Sequence, residues 1–250
     1  MKKTIIALMA LSGASMAAPM LEMDFTKLSG YSSDCTIDEV EYTSVLPEGW
    51  TTGQWNGDNP PHYKFGSNGA VVYQPWKQNY IETNFDIDSQ GAYSITFKLY
   101  NSSENTGNMF YLSSDSYSIV MGNSYDSNSE IYVGTLGSAV GADFVCFQTG
   151  TKTNPTVLTN STGYDVSGTI TYTLTMNNGN MNIKAASTSG SKWSTTINGM
   201  QDVTFTKLGF IADGSPGTAG VKSITVIPEP TTATLSLLAL AGLAMRRRRK

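Results

Sequence analysis

The sequence predicts an all-β chain: an antiparallel jelly-roll-type β-sandwich, with an N-terminal signal helix before it and a C-terminal transmembrane helix after it. Three observations lead there. Apolar and polar residues alternate in about a dozen short runs, the period of a strand with one buried face. Clusters of Gly, Asn, Ser and Asp punctuate those runs, as turns do. Between the two chain ends, no stretch of useful length carries a helical period.

In chain order, Leu21, Met23 and Phe25 alternate with Glu22, Asp24 and Thr26, which makes a half-buried strand. Ala70–Tyr73 and Tyr80–Phe85 follow as shorter runs, and Tyr93–Tyr100 alternates strictly. Met109–Leu112, Tyr117–Met121, Glu130–Val133 and Asp143–Phe147 are further short runs. Ile170–Met176 and Met181–Ala185 flank Asn177-Asn178-Gly179-Asn180, the clearest hairpin signal, because an Asn-Gly pair accepts positive φ. Val203–Phe210 and Val221–Val226 close the series. This many short strands with turn punctuation means a sandwich or barrel.

Two segments carry a resemblance. Asn84-Phe85-Asp86-Ile87-Asp88 followed by Tyr93–Tyr100 resembles an early strand pair of concanavalin A-like (laminin-G-like) domains. Phe205–Gly214 followed by Gly220–Ile224 resembles their last two strands. The resemblance implies that Leu21–Phe25 pairs with the final strand and closes the sheet. One domain, residues 18–227, is expected, with its first and last strands adjacent.

The two ends address the chain. Lys2 and Lys3, the apolar stretch Ile5–Met16 and the small residues around Ala17 read as a secretory signal, cut after Ala17. At the other end Pro228-Glu229-Pro230 precedes Thr231–Met245, fifteen uncharged residues, and then Arg246, Arg247, Arg248, Arg249 and Lys250. As a helix those fifteen residues reach about 22 Å, short against a hydrocarbon core of about 30 Å. The basic cluster stays cytoplasmic, so the bulk of the chain lies outside the inner membrane. Motif, apolar segment and basic tail together resemble the PEP-CTERM sorting signal, a segment also catalogued as an ice-binding protein C-terminal domain. The resemblance implies recognition by an exosortase-type membrane protease near Pro228–Pro230, and export to the envelope or surface, often beside exopolysaccharide. It says nothing of what residues 18–226 do. A plain tail anchor is the alternative.

Charge excludes several functions. Residues 18–230 hold all 20 acids against nine lysines and no Arg, a net of −11. That argues against a nucleic-acid partner, which needs cations along the phosphates. It also removes any mechanism built on a bidentate Arg.

The chemistry-bearing residues are few. His62 is the only histidine, in Asn59-Pro60-Pro61-His62-Tyr63, so metal clusters and His-activated nucleophiles lack partners. Cys35 and Cys146 are the only cysteines. Outside the inner membrane they permit one disulfide, worth about 4–5 kcal/mol on the chain-entropy model; two separate thiols are the alternative. Glu22-Met23-Asp24-Phe25-Thr26-Lys27 begins like the three-carboxylate strand of one jelly-roll glycanase family, but Lys27 stands where the last acid belongs. Glu39/Glu41 and Asp86/Asp88 are same-face pairs if they lie on strands. Asp213-Gly214 and Asp126-Ser127-Asn128 are candidate Ca²⁺ donors, though neither has the spacing of a calcium loop, and ordinary turns explain them as well. Trp50, Trp55 and Trp193 suit either a sugar-stacking face or the ends of the core; Trp76 is the fourth tryptophan. The expectation is an exported, non-catalytic sandwich that binds glycan or serves as a structural module. A glycan-active enzyme on the same fold is the alternative.

Overall fold

The computed structural model describes residues 19–54, 62–73, 79–102, 107–123, 130–141, 156–161, 164–213 and 215–229. The signal segment, the apolar tail, Trp55, Trp76, Cys146, Pro230, the basic cluster 246–250 and the strand expected at Asp143–Phe147 lie outside these residues. Among the described residues no helix is long and apolar enough to cross a membrane.

The strands run in chain order as follows. β1 is Leu21–Asp24, followed by a 3-10 turn Phe25–Lys27; β2 is Gly30–Tyr31, β3 Cys35–Ile37, β4 Val40–Tyr42 and β5 Trp50–Gln54. Next come β6 (Tyr63–Gly66), β7 (Gly69–Val72), β8 (Asn79–Asp88), β9 (Tyr93–Asn101), β10 (Gly107–Ser113) and β11 (Ser118–Asn123). β12 is Ile131–Leu136, β13 Thr156–Asn160, β14 Gly168–Asn177, β15 Asn180–Ser187, β16 Lys192–Ile197, β17 Thr204–Asp213 and β18 Ala219–Pro228.

They form two large antiparallel sheets. One has nine strands in the order β16-β15-β14-β9-β18-β7-β6-β2, with β1 also paired to β18. The other has seven, in the order β13-β12-β11-β10-β17-β8-β5. β3 and β4 make a separate ribbon whose turn residues Asp38 and Glu39 sit at φ 49° and 66°. Glu39 is therefore a turn residue, and the expected carboxylate pair with Glu41 does not form along a strand. The Asn178-Gly179 turn does form, with both residues at positive φ and Asn177 opposite Asn180.

The alternation seen in the sequence decides which face is buried. On β14, Ile170, Tyr172, Leu174 and Met176 are fully buried while the threonines between them face out. Aromatic rings bridge the sheets: Phe97 of β9 stacks on Tyr172 of β14 at 4.8 Å and on Phe110 of β10 at 4.3 Å. A buried polar lock accompanies them. Asn108 Nδ2 of β10 donates across the sandwich to the carbonyls of Tyr100 (3.0 Å) and Gly220 (2.9 Å) and to Asn101 Oδ1 (3.1 Å). Asn101 in turn donates to Asn123 Oδ1 on β11.

The first and last strands of the domain meet as expected. Leu21 lies opposite Val226 and Met23 opposite Ile224 in the β1–β18 ladder. Phe25 is fully buried, edge-on to Trp50 at 5.1 Å and stacked near Phe65 at 6.2 Å.

Candidate ligand face

The outward surface of the nine-stranded sheet is built from the polar half of each alternating strand. Register lines these residues up in rows. One row runs Ser194, Lys184, Thr173, Thr96, Thr225, Glu22 across β16, β15, β14, β9, β18 and β1. The next runs Lys192, Ala186, Thr171, Lys98, Ser223, Asp24. A third runs Thr196, Asn182, Thr175, Ser94, Ile227. Strand geometry spaces neighbours within a row by about 4.8 Å and the rows by about 6.7 Å.

Two open cavities lie in these rows. The first, about 410 Å³, is lined by Thr171, Thr173, Lys184, Lys192, Trp193 and Ser194, among others. The second, about 290 Å³, lies between Glu22, Asp24, Lys98, Lys222, Ser223 and Thr225. Lys222 occupies a bulge in β18 and holds its ammonium over the Tyr100 ring at 5.2 Å. At the β1 edge Asp24 is committed to the turn. It accepts from the Thr26 hydroxyl (2.6 Å) and amide (3.1 Å) and pairs with Lys27 at 3.4 Å. The Thr26 hydroxyl chiefly pulls its carboxyl below the usual range. Glu22-x-Asp24 thus reads as an exposed acid beside a turn cap.

The outward surface of the seven-stranded sheet is different. Met109, Tyr111, Val120, Leu136 and Ile211 form a second, fully buried apolar cluster there. Glu82 of β8 sits beside it with both oxygens engaged: Tyr111 donates its phenol at 2.5 Å and Lys207 its ammonium at 2.8 Å. Tyr111 reaches Glu82 across Gly209, where an added Cβ would lie 2.5 Å from the phenol. Tyr80 lies over Gly53 in the same way, at 2.3 Å from such a Cβ. Sequence reasoning passed over Glu82. The signal was present, since Glu82, Asn84 and Asp86 are alternate residues of one strand. Asp86 and Asp88 do share the outward side of β8, both exposed, and Asp88 caps the following turn through the Gln90 amide.

The other expected residues are placed as follows. Trp50 is 7% exposed, wedged against Phe25 in the core, and has no face to offer a sugar; its burial corrects the stacking expectation. Trp193 packs half-buried against the core and also borders the first cavity. Cys35 is half-buried on the ribbon, and burial pushes its thiol up; its expected partner Cys146 lies outside the described residues. His62 is half-buried before β6, its carbonyl accepting from Tyr73 at 2.9 Å. Pro228 is the last residue of β18, and the Glu229 N–H just beyond it is bonded to Ala92 O at 2.9 Å. Among the described residues no group of three or more His, Cys, Asp or Glu could hold a metal ion. The Ca²⁺ candidates Asp126–Asn128 and Gly214 are outside them.

No protein-family model matches the chain, and no curated protein matches it. Solved structures do. The exoplasmic/lumenal domain of VIP36, in its Ca²⁺-bound form, superposes with TM-score 0.55 at 10% identity, over 82% of this chain and 90% of that one. The carbohydrate recognition domain of Emp47p gives TM-score 0.51 at 8% identity, over 87% and 99%. The fold is a concanavalin A-like β-sandwich. The same likeness extends to the CBM2 module of the evolved Dit of Lactobacillus casei BL23 phage J-1 (TM-score 0.55, 8% identity, 86% and 98%). It also reaches the Crh5 transglycosylase (0.54, 12%, 86% and 86%). At such identities the likeness concerns the fold.

The buried phenols make the sandwich sensitive to alkali. Burial holds the Tyr111 and Tyr172 phenols well above their ordinary value of 10.0, and Glu82 adds to this at Tyr111; burial pushes Tyr164 up to about 12. The folded state therefore keeps protons that the unfolded chain loses from about pH 10. Stability is full below that pH and falls as pH rises above it, by about 1.4 kcal/mol per pH unit for each fully buried phenol. Denaturant melts between pH 8 and 12 should show this fall, and Y111F and Y172F should each flatten it by about one proton. An unchanged slope in both variants would show that these phenols do not hold their protons.

Proposed function

We propose that this chain is an exported protein of the cell envelope whose sandwich binds glycan through the outer face of the nine-stranded sheet, without catalysing a reaction. The observation that carries the reading is that face: three rows rich in hydroxyls, amides and lysines with two cavities, left open on a fold shared with a carbohydrate recognition domain. Sugar hydroxyls need matched donors and acceptors at close spacing, which Thr96, Thr171, Thr173, Ser223 and Thr225 supply. Among the similar structures, VIP36 has Ca²⁺/Man2-bound and metal-free forms, and the Emp47p structure is that of its carbohydrate recognition domain. They support Ca²⁺ as a ligand to test here.

In this reading the signal peptide 1–17 exports the chain and the apolar segment 231–245 holds it transiently in the inner membrane. The exosortase-type protease then acts near Pro228–Pro230. The partner is a surface glycan or exopolysaccharide. The second reading, a glycan-active enzyme, has the transglycosylase neighbour and Glu82 in its favour. Against it, both Glu82 oxygens are occupied, and Asp86 stands four residues along the same strand, about 13 Å away. Paired carboxylates for glycoside cleavage stand about 5–10 Å apart.

The purified chain, applied to a glycan array with Ca²⁺ and again with chelator, should retain a defined set of glycans and release no shortened products. Retention of none by folded protein would reject glycan binding and leave a structural module; released products would favour the enzyme. For sorting, a tag after Lys250 should disappear from the mature protein in cells with an intact sorting protease. A tag that persists on full-length protein would make the tail a plain anchor.

A further inference from the structure

We infer that the lysine and hydroxyl rows of the nine-stranded sheet bind an acidic polysaccharide, one carrying carboxylate or similar anionic groups along its length. The inference rests on the glycan-binding reading and narrows it to one chemical class. Its basis is the distribution of charge. Residues 18–230 carry 20 acids against nine lysines, yet the five adjacent strands β16, β15, β14, β9 and β18 contain no Asp or Glu. Those strands carry Lys192, Lys184, Lys98 and Lys222, four of the nine lysines. All four border the two cavities. A domain that is acidic overall thus presents a basic stretch of surface, with Glu22 and Asp24 at its β1 edge, where they share the second cavity, and Glu229 just past the end of β18.

Among the described residues, Lys27 and Lys207 form ion pairs with Asp24 and Glu82, while the four on the open face form none. Lys98, Lys184 and Lys192 are exposed, and half-buried Lys222 lies over the Tyr100 ring. An exposed ammonium without a partner attracts anions, and several on one surface bind a polyanion cooperatively through their summed field. Between the lysines stand Thr171, Thr173, Thr96, Ser194, Ser223 and Thr225. Hydroxyls in that density suit sugar rings between the anionic groups. An anionic membrane fits less well: the large exposed apolar side chains among the described residues are Met20, Val40, Val157 and Leu158, and none stands in the rows. Nucleic acid is disfavoured by the absence of Arg in residues 18–230 and by their net −11.

The test measures binding of the full chain to immobilised polygalacturonate, to neutral dextran and to phosphatidylglycerol vesicles. Polygalacturonate should bind, and the affinity should fall steeply between about 50 and 500 mM salt as the charges are screened. The triple variant K98E/K184E/K192E should lose about tenfold or more in affinity with its melting temperature unchanged. The conservative K98R/K184R/K192R should bind as the parent does. Four results overturn the inference: polygalacturonate not retained, binding insensitive to both salt and charge reversal, vesicles retained in its place, or dextran bound as well as polygalacturonate. The last leaves glycan binding itself standing.

Discussion

The last strand of the domain lies inside its larger sheet, and the rest of the structure depends on that. β18 is bonded along one side to β9 and along the other first to β7 and then to β1. Without it the sheet divides into a β16-β15-β14-β9 half and a β7-β6-β2 half. Each would then present an unpaired strand edge, a template for aggregation. Its pairing with β1 joins Leu21 to Val226, nearly the full length of the domain. Such non-local ladders form late and slowly, because loop closure must precede their reward. The Asn108 side chain reinforces the arrangement by tying β10 of the other sheet to Gly220 at the start of β18. Losing these donors would be costly, since the site is fully buried and Asn108 Oδ1 already has no partner there.

The same strand links fold to function. Its inward residues Ile224 and Val226 are fully buried, while Ser223 and Thr225 stand in the polar rows and Lys222 borders the second cavity. Its end runs without a break into Pro228, and the Glu229 amide is fixed to Ala92. The proposed sorting motif therefore begins at the rim of the sandwich rather than on a free tether. A protease acting at Pro228 or Glu229 would meet a backbone already bonded to the domain.

Much of this was legible in the sequence because the alternation is strict where one face is wet. Ile170–Met176 interleaves with three threonines, and the Asn-Gly pair fixes the hairpin that follows. β10 and β11 were harder, since every residue of both is buried and the alternation fades. β5 was missed because Trp50 is followed by Thr, Thr and Gly, which give no apolar period. The same tryptophan suited either a ligand face or the end of the core from its local sequence, and the distant Phe25 decides for the core. The candidate face was least legible. Each strand shows its threonines and lysines as ordinary solvent-facing residues, and rows appear only once long-range register places Thr96 between Thr173 and Thr225. Glu82 escaped for the same reason, since Tyr111 and Lys207 are remote in sequence.

The central claim is that the domain is closed by its own ends, β1 sealing β18 and Phe25 filling the core beneath. The direct measurement is chemical denaturation of the chain with and without Leu21–Lys27. Removing Phe25, together with Leu21 and Met23, should lower stability by several kcal/mol, as loss of large buried apolar groups does. A truncated chain that unfolds at the same denaturant concentration as the intact one would show that β1 is a loose lead-in and that the sheet is closed without it.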